Sequence, residues 1–176
     1  MYRMSDTLQL YDGGALDMAV LGFAEVDRYG NVNASSFHGR MVGPGGFIDI
    51  TQNAQKLCFI GTFTAGKQDV GLRDNGLVIH TQGPQKKFLA EVESITFSGR
   101  EAVRKGQEVL YITERAVFRL EKEGITLVEI AHGVDLQRDI LDQMEFQPVI
   151  PEYIRYMDPR LFRDGPMGLT PEQMEM

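Results

Sequence analysis

Residues 16–27, LDMAVLGFAEVD, form a nearly continuous apolar run that ends at the turn signal RYGN. A run of this kind predicts a β-strand that is buried on both faces, as in a parallel sheet. A second run, KLCFIGTFT at residues 56–64, is rich in apolar and β-branched residues and predicts another buried strand. It ends at the glycine loop AGK. The two runs together indicate a domain built on buried strands.

Working outward from these strands, the sequence alternates between hairpins and a few short helices. The pair Asn75-Gly76 between extended flanks predicts a type I′ hairpin, and the turn EKEG at 121–124 predicts a second hairpin. Ser98 and Gly106 are typical of the start and the end of one short helix, and Asp135 is typical of a helix cap. Parallel sheets need helical cover on both faces, which these few helices do not supply. The fold class is therefore predicted as α/β: a single open, mixed, largely parallel β-sheet domain with few helices plus hairpins, part of it covered by another polypeptide.

Composition excludes several classes of function. The 176 residues include 18 basic and 25 acidic side chains, a net charge of −7, so nucleic acid is not an expected partner. No apolar run approaches the roughly 20 residues that cross a bilayer, so no membrane partner is expected. A single cysteine, Cys58, excludes an internal disulfide and favours a cytoplasmic location. Cys58 itself is predicted to be a small core residue, and the three histidines lack the spacing of a metal site.

Glycine is the unusual residue type. The chain has 19 glycines, many of them within the first 70 residues, and GPGGF at 43–47 is the densest cluster. Glycines before a short helix can present bare N–H groups to a developing negative charge. The alternative is a tight turn without any ligand. The cluster matches neither a Walker motif, because no Lys-Ser/Thr follows, nor GxGxxG.

Charged residues leave further alternatives open. Lys67 closes the loop after the second predicted strand, where α/β sheets usually bind ligands, and is either an anion contact or a solvated loop lysine. Carboxylates beside apolar runs, such as Glu25 and Asp27, are candidates for a nucleophile or a base, but they are also typical of strand edges and turns. Glu114-Arg115 is interpreted as an ion pair within a strand. No catalytic triad is recognisable.

A series of motifs in order along the chain points to a known family. YDGGALDMAVLGFAEVDRYGNVNAS, RMVGPGGFIDITQNAQKLCFIGTFTAGK, EVESITFSG, VLYITERAVFRL, GITLVEIAHGVDL and FRDGPMGL resemble the C-terminal (second, β-type) half of class I CoA-transferases. The resemblance runs from about Leu10 to Leu169 and is greatest to the acetate/propionate (short-chain acyl-CoA) CoA-transferases. It implies the CoA-transferase (NagB/RpiA-like) fold for this half.

The resemblance also implies a reaction and a set of site residues. In the family a glutamate attacks acyl-CoA, a glutamyl-CoA thioester forms, and CoA then passes to another carboxylate. Coenzyme A or acyl-CoA is thus a substrate, and no cofactor is bound covalently. Carried over to this chain, the expected oxyanion amides are those of Gly46 and Gly45. The expected contacts to CoA or substrate are Gly43, Lys67, Asn33 and Ser35.

The family places its nucleophilic glutamate in an E-[NS]-G motif before the segment that matches YDGG. Residues 1–10, MYRMSDTLQL, contain no glutamate, so we expect this chain to lack the nucleophile and the first half and to be inactive alone. The expected organisation is a leader or linker remnant at 1–10, the transferase domain at 11–147 and a Pro-rich C-terminal tail at 148–176.

The expected partners are acyl-CoA, a short-chain carboxylate, the N-terminal half of the enzyme and further copies of the chain in a homo-oligomer. An alternative is a non-catalytic module that binds CoA or a nucleotide or serves in assembly. A hydrolase that uses Glu25 or Asp27 is a third, remoter hypothesis.

Overall fold

The structure is a computed structural model that describes residues 3–37 and 39–174. The helices in this part of the chain are α1 Met4–Asp12, α2 Phe47–Asn53, α3 Gly99–Lys105 and α4 Pro171–Met174. The strands are β1 Met18–Gly22, β2 Glu25–Asp27, β3 Val32–Asn33, β4 Ser36–Phe37, β5 Arg40–Met41, β6 Lys56–Ile60, β7 Thr64–Ala65, β8 Asp69–Arg73, β9 Gly76–Thr81, β10 Gln85–Lys86, β11 Phe88–Leu89, β12 Glu108–Ile112, β13 Ala116–Glu121, β14 Gly124–Ile130 and β15 Arg155–Tyr156. A π-helical turn, Leu136–Ile140, and 3-10 turns at Leu141–Gln143 and Pro159–Phe162 complete the regular structure.

A six-stranded sheet in the order β1-β6-β12-β13-β14-β15 forms the centre of the fold. β6 pairs in parallel with both β1 and β12, and β15 pairs in parallel with β14. The remaining two contacts, β12 with β13 and β13 with β14, are antiparallel. The predicted α/β class with a mixed, largely parallel sheet, few helices and hairpins is therefore confirmed.

The two apolar runs were predicted as strands buried on both faces, and this prediction is wrong. Along β1 and β6 burial alternates, so that only one side of each strand is in the core. On the other side Met18, Val20 and Ile60 are 53%, 58% and 46% exposed. The reason is that α2 and α3 pack on the other face, where Phe47 and Ala102 join the main core. Cys58 also lies on the open side and is half-buried, not a core residue, and its partial burial raises the pKa of its thiol.

The covered face holds an aromatic core. Phe59, at the centre of the sheet, is fully buried, and its ring packs on Phe47 at 5.7 Å, Phe97 at 5.1 Å and Tyr111 at 5.6 Å between ring centroids. These rings come from α2, the segment before α3, and β12. The cluster therefore joins both crossover helices to the parallel strands.

A smaller apolar cluster covers part of the opposite face. Met157 and Phe162 from the C-terminal segment pack there against Leu77, Val117 and Ala131. β15 in the same segment adds a strand to β14. This part of the Pro-rich C-terminal tail thus lies over the sheet.

The local signals are largely confirmed, with a correction at one turn. The Ser98 hydroxyl accepts a hydrogen bond from Glu101 N–H at the start of α3, and Gly106 ends that helix in the left-handed conformation. The predicted type I′ hairpin exists between β8 and β9, but its two central residues are Asp74 and Asn75, both with positive φ. Gly76 is already in β9, where an added Cβ would lie 2.7 Å from the His132 carbonyl oxygen.

The first residues and the segment that carries Asn33 and Ser35, residues 31–37 and 39–40, contain more regular structure than the sequence indicates. We call this segment the substrate-side loop. Helix α1 crosses the expected boundary between residues 10 and 11, and residues 1–2 and 175–176 of the expected leader and tail lie outside the described part. The substrate-side loop includes the two-residue strands β3 and β4 and the start of β5. Among the described helices, none has the length and apolar character needed to cross a membrane.

Phe59→Ala should lower the free energy of unfolding by about 3–5 kcal/mol, because it removes a fully buried ring and leaves a cavity among three others. The neighbouring Ile60→Ala is the control, since Ile60 faces the open side, and it should cost less than about 1 kcal/mol. Urea unfolding of the three proteins measures both values. Equal losses at the two positions would contradict a core on one face of the sheet.

Candidate functional site

The candidate site lies at the carboxyl edge of the parallel strands. β1, β6 and β12 end there at Gly22, Ile60 and Ile112, which are in register with one another. The first residue of α2, Phe47, stacks on Phe59 near the end of β6. The loop before α2, residues 42–46, is therefore held near the same edge, which is the usual ligand-binding edge of an α/β sheet.

The glycines of this loop leave backbone groups uncovered. Gly43 and Gly45 have φ values of +84° and +54°, a region that other residues rarely adopt, and no atom lies within 4 Å of a Cβ built on either. The Gly43 N–H donates to the Ser35 carbonyl oxygen at 3.2 Å. Within residues 3–37 and 39–174, the N–H groups of Gly45 and Gly46 donate to no acceptor. In the described part of the chain the loop thus has two amides without an acceptor. Gly45 lies in open space, and Gly46 lies beside Leu8, whose Cδ2 is 3.3 Å from a Cβ built on Gly46.

Asn33 fixes the start of the substrate-side loop. Its side chain is fully buried, and Nδ2 donates to Glu25 Oε2 and to the Ser36 carbonyl oxygen, each at 2.7 Å. Oδ1 accepts from the N–H groups of Ser35 and Ser36 at 3.1 and 3.0 Å. All the donors and the acceptor of this amide are therefore used inside the protein, and its contribution to a site is to hold the backbone.

Ser35 connects the buried Asn33 side chain to the glycine loop. Its carbonyl oxygen accepts from the N–H groups of both Val42 and Gly43, at 2.9 and 3.2 Å. Its hydroxyl lies 2.8 Å from the Thr96 hydroxyl. Asn33, Ser35 and Gly43, three of the residues predicted for the site, are thus connected in one hydrogen-bonded chain.

Nearby carboxylates serve the same scaffold. Glu93 Oε1 accepts from the Ser36 hydroxyl and from Gly39 N–H, and Glu93 N–H donates to Glu25. Asp27, 2% exposed, accepts from the N–H groups of Tyr29 and Asn31. Carboxylates occupied in this way are poor candidates for a nucleophile, which argues against a hydrolase built on Glu25 or Asp27.

Glu114 and Arg115 form an ion pair, but they lie between β12 and β13, so the predicted pair within a strand is corrected to one in a turn. Arg115 is fully buried. Its guanidinium donates to Glu114 Oε1, to Gln82 Oε1 and to the Asp139 carbonyl oxygen. Glu114 Oε2 also accepts from Phe63 N–H, so this turn braces the chain just after β6.

The two lysines of this region differ sharply in environment. Lys67, the lysine predicted from the sequence, is exposed between β7 and β8 and makes no hydrogen bond or ion pair within the described residues. Lys87 is 7% exposed, and its ammonium lies 3.9 Å from the centroid of the Phe23 ring. Burial lowers the pKa of Lys87 to about 8, and the negative charge of Glu114 opposes that change. Sequence reasoning missed Lys87, because the pair Lys86-Lys87 is typical of a solvated turn.

Comparisons with known proteins identify relatives of this chain among CoA-transferases. No protein-family model matches the chain. It is 50% identical over 167 residues to acetate CoA-transferase YdiF of Escherichia coli (strain K12), which is 95% of this chain and 32% of that protein. It is 51% identical over 165 residues to caffeate CoA-transferase of Acetobacterium woodii, or 91% of this chain and 31% of that protein.

A crystal structure of the acyl-CoA transferase YdiF from Escherichia coli O157:H7 superposes with a TM-score of 0.94 at 49% identity, over 97% of this chain and 33% of that one. The same protein has been solved as a thioester complex with CoA. The relationship predicted from the motifs is therefore confirmed, and this chain spans about a third of the length of the relatives that it matches.

Asn33→Ala should lower the free energy of unfolding by at least about 2 kcal/mol, because Glu25 loses a donor and two buried N–H groups lose their acceptor. Amide hydrogen exchange at Val42 and Gly43 should accelerate in this variant, since Ser35 would no longer be fixed. Asn53→Ala is the control, because the Asn53 amide bonds at the surface to the Asp12 carbonyl. Unchanged exchange in the glycine loop of Asn33→Ala would contradict the proposed anchoring.

Lys87→Met should stabilise the protein at pH 7, because it removes a charge that burial penalises. The pKa of Lys87 is about 8 in the folded protein, below the ordinary value of 10.5 for a lysine. Between these two pH values the unfolded chain therefore keeps a proton on Lys87 that the folded protein has released. The stability of the parent protein should therefore rise from pH 8 to pH 10.5 relative to that of Lys87→Met. Urea unfolding across this range, with exposed Lys122→Met as the control, measures the difference; parallel pH profiles for parent and Lys87→Met would contradict it.

Proposed function

We propose that this chain, which is homologous to about one third of a class I CoA-transferase, is the second-half domain of a short-chain acyl-CoA:carboxylate CoA-transferase. In this role it supplies the oxyanion-binding loop and part of the CoA site. Its substrates are acyl-CoA and an acetate- or propionate-type acid, and its partners are the N-terminal half of the enzyme and further copies of itself in the cytoplasm. Coenzyme A is a substrate here, and no cofactor is bound covalently.

The unpaired amides of Gly45 and Gly46 are the observation that supports this proposal most directly. When a carboxylate attacks the thioester carbonyl, negative charge develops on that oxygen, and donors already in position lower the barrier. Gly46 is the principal donor in the proposal and Gly45 the second. The hydrogen bonds from Asn33 through Ser35 to Gly43 keep these amides in place before any substrate binds.

The remaining predicted contacts take supporting roles in the proposal. Gly43 lets the backbone of the loop approach acyl-CoA, because no side chain stands in the way. Lys67, exposed on its loop, offers a point charge to the phosphates of CoA. Asn33 and Ser35 act on the substrate side by shaping the loop.

A chimaeric enzyme tests the catalytic part of this proposal. The matching third of the Escherichia coli acetate CoA-transferase is replaced by this chain, and CoA transfer from acetyl-CoA or propionyl-CoA to a carboxylate is assayed. We expect turnover in the chimaera. Gly46→Pro, which removes the N–H, should then lower kcat by about 10²–10³-fold, whereas Gly46→Ala keeps the N–H and should have a much smaller effect. Thermal unfolding of each chimaera checks that the loop variants fold.

The 176-residue chain alone is expected to show no CoA transfer in the same assay. Calorimetric titration of this chain with CoA separates the possible outcomes. Binding of CoA together with an inactive but folded chimaera would favour the non-catalytic CoA-binding or assembly module. Robust turnover by the chain alone would contradict its proposed dependence on a partner half.

A further inference from the structure

Lys87 is a buried cation at the carboxyl edge that the proposed function does not use. Unlike buried Arg115, its charged group makes no ion pair or hydrogen bond within the described residues. Its backbone is fixed between two short strands, β10 and β11, and its carbonyl oxygen accepts from Val26 N–H at 2.8 Å. From there the side chain reaches Phe23, just beyond the end of β1, and Gly61, just beyond the end of β6. The ammonium therefore lies at the same sheet edge as the glycine loop.

The ammonium of Lys87 has no hydrogen-bond acceptor among the described residues. Within the same residues, no fully buried side-chain nitrogen or oxygen is left without a hydrogen-bond partner. The Nζ atom must therefore reach the protein surface at its tip, although the side chain as a whole is 93% buried. The ammonium can therefore donate to a ligand at this point of the surface, while the stem of the lysine stays in the apolar interior.

Gly61 makes the opening through which the ammonium reaches the edge. A Cβ built on Gly61 would lie 2.9 Å from Lys87 Nζ and 3.1 Å from the Phe23 ring. Any side chain at position 61 would thus occupy the place of the ammonium or push it aside. Close approach of the ammonium is what favours glycine here, since Gly61 is not among the glycines with positive φ.

Glu114 is the charged group that faces Lys87 across this edge, from the turn after β12. Its carboxylate oxygens already accept from Phe63 N–H and Arg115 Nε, and it makes no ion pair with Lys87 within the described residues. The positive charge of Lys87 is consequently neutralised only at a distance. A small anion that binds at the surface would gain a charge-assisted hydrogen bond in a site of low polarity.

We propose that Lys87 Nζ, uncovered by Gly61, binds the carboxylate of the short-chain acid substrate at the carboxyl edge of the sheet. This assignment rests on the proposed function for the identity of the anion. A carboxylate fits because its oxygens can accept from the ammonium, and the buried Phe23 ring 3.9 Å from Nζ gives the site apolar surroundings in which such a bond is strong. Lys87 acts as a binding residue and takes no part in bond making.

NMR spectroscopy of the full 176-residue chain, with ¹³C at the lysine ε position, tests this inference. Lys87→Arg identifies the Lys87 resonance by its loss. Sodium acetate should shift that resonance saturably and raise the pKa of Lys87 above its value of about 8, because a bound anion favours the ammonium form. Sodium chloride at equal ionic strength should do neither.

Two variants serve as controls for the acetate response. Gly61→Ala should abolish it, since the methyl group displaces the ammonium, and Lys122→Gln on the exposed β13–β14 turn should leave it intact. Thermal unfolding establishes that Gly61→Ala is folded. If that variant does not fold, Lys87→Met replaces it. In Lys87→Met the acetate-dependent change of the neighbouring Phe23 and Gly61 amide resonances should vanish.

The outcomes separate this inference from the proposed function. An acetate response lost in Gly61→Ala supports the Lys87 site. No response to acetate, or an equal response to chloride, overturns it, even where the same chain binds CoA in the calorimeter and the chimaera turns over. A response to acetate in a chain whose chimaera is inactive supports the carboxylate site while the transferase proposal fails.

Discussion

The buried amide of Asn33 is the interaction on which the arrangement of the candidate site depends. It pairs at once with a carboxylate, a carbonyl and two backbone N–H groups, and each of these would be costly to leave unpaired away from water. Because Ser35 is held in this way, its carbonyl can accept from two successive N–H groups of the glycine loop. Within the part of the chain that the structure describes, the next N–H groups of the loop, those of Gly45 and Gly46, then have no acceptor. The hydrogen bonds from Asn33 through Ser35 to Gly43 thus hold the loop in the conformation in which the N–H groups of Gly45 and Gly46 find no acceptor among the described residues.

A second constraint comes from how the sheet is covered. Helices and the aromatic core lie on one face, and the C-terminal segment covers part of the other face over β13 and β14. Beside it, β1 and β6 keep apolar side chains in solvent. This asymmetry leaves an apolar surface beside the C-terminal segment, and such surfaces are typical of sites of interaction with other polypeptides.

The sequence predicts features that depend on local chemistry and misses those that depend on neighbours. Ser98 and Gly106 bound their helix because capping and left-handed φ are properties of short segments. The apolar runs at 16–27 and 56–64 correctly indicate strands, but hydrophobicity alone does not show that one face lacks a covering layer. At the site, the ordered motifs led to the glycine loop. They did not distinguish Gly46, whose N–H has no acceptor within the described residues, from Asn33, whose amide is used entirely inside the protein. Lys87 carries no signal at all, because its burial depends on Phe23 and Gly61, which follow the ends of β1 and β6.

The uncovered side of β1 has a consequence for the handling of the protein. In the described residues β1 is the outermost strand of the central sheet, and its free edge carries backbone groups that can pair with a strand of another molecule. Met18 and Val20 beside it add apolar contact area to any such pairing. Concentrated solutions of the chain by itself are therefore prone to edge-to-edge association, and a lysine in place of Val20 is the rational substitution for keeping it dispersed.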